Sequence, residues 1–104
     1  MSSDGENNVK EGSYDEALKK FEQALELFKE VPEDLSNFDV ARTLRSIGDV
    51  YVLQGKEGNH DKALEKFEKA LELFKKVPGD LSNVDVARTL RRIGNVRARI
   101  NISE

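Results

Sequence analysis

The amino-acid sequence predicts an all-α protein of about four helices, arranged as antiparallel helical hairpins that repeat along the chain as an α-solenoid. The first observation is an internal repeat, in which residues 39–48 return almost unchanged as residues 85–94, an offset of 46 residues. Between residues 10 and 50, about three positions in four are identical to the residue 46 positions later. The second observation is the spacing of apolar residues at intervals of three or four, which indicates helices with one apolar face. A repeat of this length is typical of stacked arrays.

Length and composition narrow the class of protein. A chain of 104 residues is long enough for one small domain or a short repeat array. A formal net charge of −3 argues against general affinity for nucleic acid or for anionic membranes. The absence of Cys excludes disulfides and thiolate metal sites. The first residues lack the apolar core of a signal peptide, and no apolar run approaches a membrane span, so we expect a cytoplasmic protein.

The first predicted elements are a lead-in and a helix. Residues 1–12 are polar, and we expect them to be disordered ahead of a single domain at 13–104. Ser13 and Glu16 have the spacing of a capping box, which predicts a helix over about 14–31. Pro32 is expected to end this helix, because its ring removes an amide donor and clashes with the preceding turn.

A second helix is predicted over about 37–54, with Ser36 or Asn37 as its N-cap. Gly48 falls inside this helix, where Gly costs about 1 kcal/mol relative to Ala. We therefore expect a neighbouring helix to approach closely at Gly48. The repeat places two further helices at about 60–77 and 83–101. The short connections between all four helices force consecutive helices to run antiparallel.

Several small and bulky residues at fixed spacing carry a family resemblance. They are Leu44, Ile47, Gly48, Tyr51, Gln54, Gly55, Asp61, Lys62, Ala63, Leu64, Phe67, Ala70 and Leu71. This pattern resembles the tetratricopeptide repeat, in a long form that is similar to the repeats of kinesin light chains. The resemblance implies a helix order of B-A-B-A. Two departures are a longer turn at residues 57–59 and Arg97 in place of the family's aromatic residue. The high identity between the two copies fits recent duplication or design equally.

The same resemblance implies a non-enzymatic protein-interaction scaffold, whose A helices line a groove for peptide ligands. All Arg residues lie on the two A helices, whereas the Lys residues lie elsewhere. Because a guanidinium group binds a carboxylate through two bonds, this groove should prefer acidic or carboxylate-terminated peptides. Alternatively, these Arg residues pair with carboxylates of the chain itself. The predicted peptide-binding residues are Arg42, Arg45, Asp49, Arg88, Arg91, Arg92, Asn95 and Arg99.

The predicted array is open at both ends, because no A helix precedes the first B helix and no B helix follows the last A helix. A solenoid that ends in half-repeats exposes apolar surface. The last helix of another chain could occupy the empty place beside the first, which would give head-to-tail stacking or a domain-swapped dimer. This alternative function is self-association without a dedicated ligand. The residues predicted to mediate it are Phe21, Leu25, Phe28, Ile93, Val96 and Ile100.

Catalytic chemistry has little support in the sequence. The single His, His60, aligns with Tyr14 of the other repeat copy, which indicates a packing or capping role. No Gly-rich phosphate loop, metal-ligand spacing or nucleophile constellation occurs, so we predict no catalytic residue, no metal site and no cofactor. The predicted peptide-binding residues form a stripe along the A helices. This Arg stripe lacks the interleaved aromatic residues on which the bases of single-stranded nucleic acid stack. The sequence therefore predicts a binding protein with a protein or peptide partner.

Overall fold

The computed structural model describes the backbone of residues 2–103 and the side chains of residues 12–100. The chain forms four α-helices: α1 (Ser2–Phe28), α2 (Glu33–Gln54), α3 (Asn59–Lys75) and α4 (Gly79–Ser103). No strand occurs in the described backbone, so the prediction of an all-α protein with four helices is confirmed. The disordered lead-in predicted for residues 1–12 falls almost entirely outside the residues whose side chains are described, and it stays a prediction.

The core lies along one face of α3, whose buried apolar residues follow one another at intervals of three or four. One cluster joins α2 to α3 through Ala41 and Phe74, both fully buried. A second cluster joins α3 to α4 through Phe67 and Val96. Each helix packs against the next one along the chain, and α2 also contacts α4. Within the described part of the chain, the backbone of α1 comes close to that of α2 alone, and Leu25 of α1 packs on the cluster that α2 and α3 share.

Gly48 shows why a helix interior tolerates glycine at this point. A Cβ atom at Gly48 would lie 2.5 Å from Cε1 of Phe67, which is closer than carbon atoms can pack. Phe67 itself is buried and belongs to the second cluster. The prediction of a close helix approach at Gly48 is therefore confirmed, and α3 is the helix that approaches.

Several helix ends differ from the prediction. Helix α1 begins at Ser2 instead of near residue 14, so Ser13 lies inside the helix and does not cap its start. Helix α4 begins at Gly79 instead of near residue 83.

The connection between α1 and α2 also differs from the prediction. Helix α1 ends at Phe28, and α2 begins at Glu33 with Pro32 as its N-cap residue. Ser36 lies inside α2, where its hydroxyl donates to the Pro32 carbonyl at 3.2 Å. The prediction that Ser36 or Asn37 caps α2 is therefore wrong. Pro favours the first turn of a helix because its φ is already helical and its missing amide is not needed there.

Two glycines build the turn between α2 and α3. Gly55 ends α2 with φ of 66°, and its amide donates to the Tyr51 carbonyl. Gly58 precedes α3 with φ of 84°. Both values lie in the left-handed region, which glycine enters without steric cost. The turn reverses the chain and lays α3 antiparallel on α2. Among the described residues, no helix has the length and apolar character needed to cross a membrane.

Candidate functional site

A part-buried ion pair joins α2 to α4. Arg45 Nη1 lies 2.9 Å from Asp85 Oδ1, and the two side chains are only 12% and 14% exposed. The Arg45 guanidinium also lies over the ring of Phe74, with its Cζ 5.2 Å from the ring centroid. Arg45 is thus held by a carboxylate and by an aromatic face. We call this arrangement the Arg45 junction.

A second ion pair lies beside the first. Arg92 Nε donates to Asp49 Oδ1 at 2.8 Å, and both side chains are half-buried. Arg45, Asp49 and Arg92 were all predicted to hold a peptide. The structure instead pairs them within the chain. This agrees with the alternative interpretation, in which Arg residues bind carboxylates of the chain itself. An external carboxylate would have to displace Asp85 or Asp49 before binding Arg45 or Arg92.

Asp85→Ala should lower the free energy of unfolding by about 1–3 kcal/mol, because it leaves the Arg45 guanidinium without an anion in a largely dry site. The measurement is urea denaturation followed by circular dichroism at low protein concentration. The matched control is Asp39→Ala, which removes the corresponding carboxylate of the other repeat copy. Asp39 is exposed and has no ion-pair partner among the described residues. We expect a change within about 0.5 kcal/mol for Asp39→Ala, and equal losses in the two variants would contradict the role of the junction.

The other predicted peptide-binding residues remain accessible. Arg42 is exposed and lies over the Phe38 ring, with its Cζ 5.8 Å from the centroid. Arg88, Arg91 and Asn95 are exposed along α4. Arg99 is also exposed, farther along the same helix. The accessible Arg side chains of the predicted groove therefore lie mainly on α4, because Arg45 of α2 is paired with Asp85.

One face of α4 is uncovered although it carries apolar and small residues. Leu90 is 51% exposed, whereas the residue 46 positions earlier, Leu44, is 8% exposed because α3 covers it. Val84 is 60% exposed. A Cβ atom built at Gly94 would meet nothing within 4 Å, in contrast to Gly48. The α4 open face consists of Val84, Ala87, Leu90, Arg91 and Gly94.

The residues predicted for self-association at α4 require a correction. Val96 is buried against Ala63 and Phe67 of α3, and Ile93 and Ile100 pack against the same cluster. The expectation that these three residues are uncovered is therefore wrong, because their side of α4 faces α3. The repeat register contained the missing signal: Gly48 marks the side of α2 that receives the next helix, so Gly94 marks the equivalent side of α4.

The residues predicted for self-association at α1 lie against α2. Leu25 packs on the first core cluster. Phe21 and Phe28 are half-buried and line a cleft between α1 and α2 with a volume of about 210 Å³. We call it the α1–α2 cleft. Its lining residues are Phe21, Phe28, Asp39, Arg42, Thr43 and Ser46.

His60 is the single histidine of the chain. His60 lies in the first turn of α3, with its Nε2 atom buried and without a hydrogen-bond partner among the described residues. Within that part of the chain, no three His, Cys, Asp or Glu side chains are grouped to hold a metal ion. Searches of family models, curated proteins and solved structures found no match to this chain.

Proposed function

We propose that this chain is a non-enzymatic protein-interaction module whose helices stack as in a tetratricopeptide-repeat solenoid, with α1 and α3 as B helices and α2 and α4 as A helices. The pattern of helix contacts supports this arrangement. Each helix packs on the next, the two A helices touch each other, and in the described residues the backbone of α1 comes close to neither α3 nor α4. In stacked repeats, each unit contacts only its neighbours.

The observation that carries the proposal is the exposure of the α4 open face. Its counterparts in α2, which include Ala41, Leu44 and Gly48, are buried against α3. The corresponding residues on α4 have the same small and apolar character, and no helix lies over them among the residues that the structure describes. An uncovered apolar surface of this kind marks an interaction site. Its shape fits a helix, since a helix is what covers the same pattern on α2.

Charge adds a preference for acidic partners. Arg88 and Arg91 flank the apolar residues, and neither has an ion-pair partner among the described residues. A guanidinium group binds a side-chain or C-terminal carboxylate through two bonds. Because an exposed ion pair contributes only about 0–1 kcal/mol, the apolar contact must supply most of the affinity. The partner class is therefore an amphipathic helix that carries Asp or Glu beside its apolar face.

The test is an NMR titration of the isotope-labelled chain at low concentration. The probes are synthetic amphipathic helical peptides rich in Glu, each made with a free and with an amidated C-terminus. We expect shifts at Leu90, Arg91 and Gly94, weakened by added salt because screening acts on exposed charges. Stronger binding by the free form would show that the terminal carboxylate is recognised.

Leu90→Glu should abolish these shifts, because it places a charge in the apolar contact. The matched control is Leu35→Glu, since Leu35 is 69% exposed on α2 and lies outside the α4 open face. This control variant should bind as the unchanged chain does. Absence of shifts with every peptide, or equal loss in both variants, would reject the α4 open face as the binding surface.

A further inference from the structure

The Arg45 junction has a repeat counterpart that is divided between the two ends of the molecule. The repeat offset of 46 residues makes Arg91, at one end of the molecule, the counterpart of Arg45. The same relation links the junction residues Asp85 and Phe74 to Asp39 and Phe28 at the other end. Arg91 is exposed on α4, and Asp39 and Phe28 line the α1–α2 cleft. The cation is therefore at one end of the chain, while the carboxylate and ring that would receive it are at the other.

We propose that a second copy of this chain brings these two halves together, so that α4 of one copy packs against α1 of the next and Arg91 enters the α1–α2 cleft. This inference rests on the proposed function, because it names the partner of the α4 open face. In the assembled form, Arg91 bonds Asp39 of the second copy and stacks on its Phe28. That geometry repeats the 2.9 Å ion pair and the ring contact of the Arg45 junction.

Packing around this pair follows the same register. Within one chain, Cε1 of Phe67 lies 2.5 Å from the position that a Cβ of Gly48 would take. The repeat counterparts are Phe21 and Gly94, and the space beside Gly94 is open. Phe21 of the second copy therefore has room to approach the α4 helix closely. The remaining contacts bring Ala87 and Leu90 of one copy against Ala24 and Phe28 of the next.

One pair of positions at which the repeat copies differ is also compatible with the proposed interface. Inside the chain, Asp49 pairs with Arg92 at 2.8 Å. The counterparts across the proposed interface are Asn95 and Ser46, so both charges are lost together. A change on one side alone would have left an unpaired charge. Asn and Ser can instead form a neutral hydrogen bond.

A second pair of differences shows the same compatibility. The Lys62 ammonium lies 5.7 Å from the Tyr51 ring centroid inside the chain. The counterparts across the proposed interface are Glu16 and Arg97, which have opposite charges. In the single chain, Arg97 bonds Glu68 at 2.6 Å on the exposed side of α4. Since a guanidinium group has several donors, Arg97 can bind a second carboxylate. This complementarity identifies a second copy as a better match than an unrelated acidic helix.

The two copies use different surfaces in this contact, α4 of one and the α1–α2 cleft of the other, so the interface is head-to-tail. Such an interface produces rings if its rotation closes and open chains if it does not. In a stacked solenoid, the second copy continues the path of the first, and its own α4 open face is again exposed. We therefore expect open chains whose length increases with concentration.

Sedimentation velocity and light scattering, from low micromolar to millimolar protein, test this assembly. We expect the average mass to rise above the monomer mass of 11.7 kDa without stopping at a dimer. Arg91→Glu and Asp39→Arg should each weaken the association about tenfold or more, because each opposes like charges at a desolvated contact. The double variant, Arg91→Glu with Asp39→Arg, should recover association, since it reverses the pair.

Two further variants separate the interface from general charge and folding effects. Lys69→Glu makes the same charge change at an exposed position of α3 and should leave association unchanged. Gly94→Leu should prevent assembly by blocking Phe21 of the second copy, while circular dichroism stays helical because the space beside Gly94 is open within the chain.

A monomer at every concentration would overturn the assembly, and so would association that survives both charge variants and Gly94→Leu. Failure of the double variant to recover association would reject the Arg91 contact with Asp39. These results are separable from the proposed function. If the chain stays monomeric but acidic peptides still shift Leu90 and Gly94, only the second copy is rejected. If neither occurs, both inferences fail.

Discussion

Phe74→Ala is expected to lower the free energy of unfolding by about 3–5 kcal/mol. Phe74 is fully buried and belongs to the cluster that joins α2 to α3. Its ring also lies edge-on to Phe38, with 5.6 Å between centroids, and beneath the Arg45 guanidinium. Truncation would leave a cavity where α2, α3 and the Arg45 junction meet. Urea denaturation followed by circular dichroism measures the loss.

The repeat supplies a matched control for this substitution in Phe28→Ala. Phe28 is the counterpart of Phe74, but it is only half-buried because it lines the open α1–α2 cleft. We expect the free energy of unfolding to fall by about 1–2 kcal/mol, because the half-buried Phe28 ring removes less apolar area from water than the Phe74 ring does. Both variants should be measured at low protein concentration, where self-association is weak. Equal losses at that concentration would mean that α1 is as well covered as α3.

Most of the fold could be predicted from the repeat and the apolar spacing. The helices, their number and the close approach at Gly48 depend on local patterns that the sequence displays directly. The first turn of α2 could not be predicted as well. Ser36 is a residue type that N-cap positions favour, but Pro32 occupies the N-cap and the Ser36 hydroxyl donates to its carbonyl. A cap depends on backbone geometry at one residue, which the residue type constrains only weakly.

The candidate site was harder to predict because it depends on how the helices are rotated. The Arg stripe was visible in the sequence, yet a stripe can face a groove or a neighbouring helix. The structure turns Arg45 and Asp49 toward α4, where they meet Asp85 and Arg92. It likewise turns Val96 toward α3 and leaves Leu90 outside. Apolar spacing identifies a helix face, but α4 has two such faces, and only packing decides which one is covered.

Gly48→Ala is expected to destabilise the chain by about 1–3 kcal/mol, although Ala is normally the better residue inside a helix. The new Cβ would meet the Phe67 ring at 2.5 Å, and that ring is enclosed by the second core cluster. Relief requires the Phe67 ring to turn or α3 to move away from α2, and the ring is packed against Val96 of α4. Thermal and urea denaturation both measure the loss.

Gly94→Ala is the matched control, because it makes the same change at the repeat counterpart. Nothing lies within 4 Å of the new Cβ, so only the helix preference remains, and stability should rise by up to about 1 kcal/mol. Changes of the same sign in both variants would contradict the contact with Phe67. At high protein concentration, Gly94→Ala should also reduce the average mass, since the added methyl group lies where Phe21 of a second copy would pack. One substitution would then stabilise the single chain and weaken its assembly, a combination that a purely internal role for Gly94 does not produce.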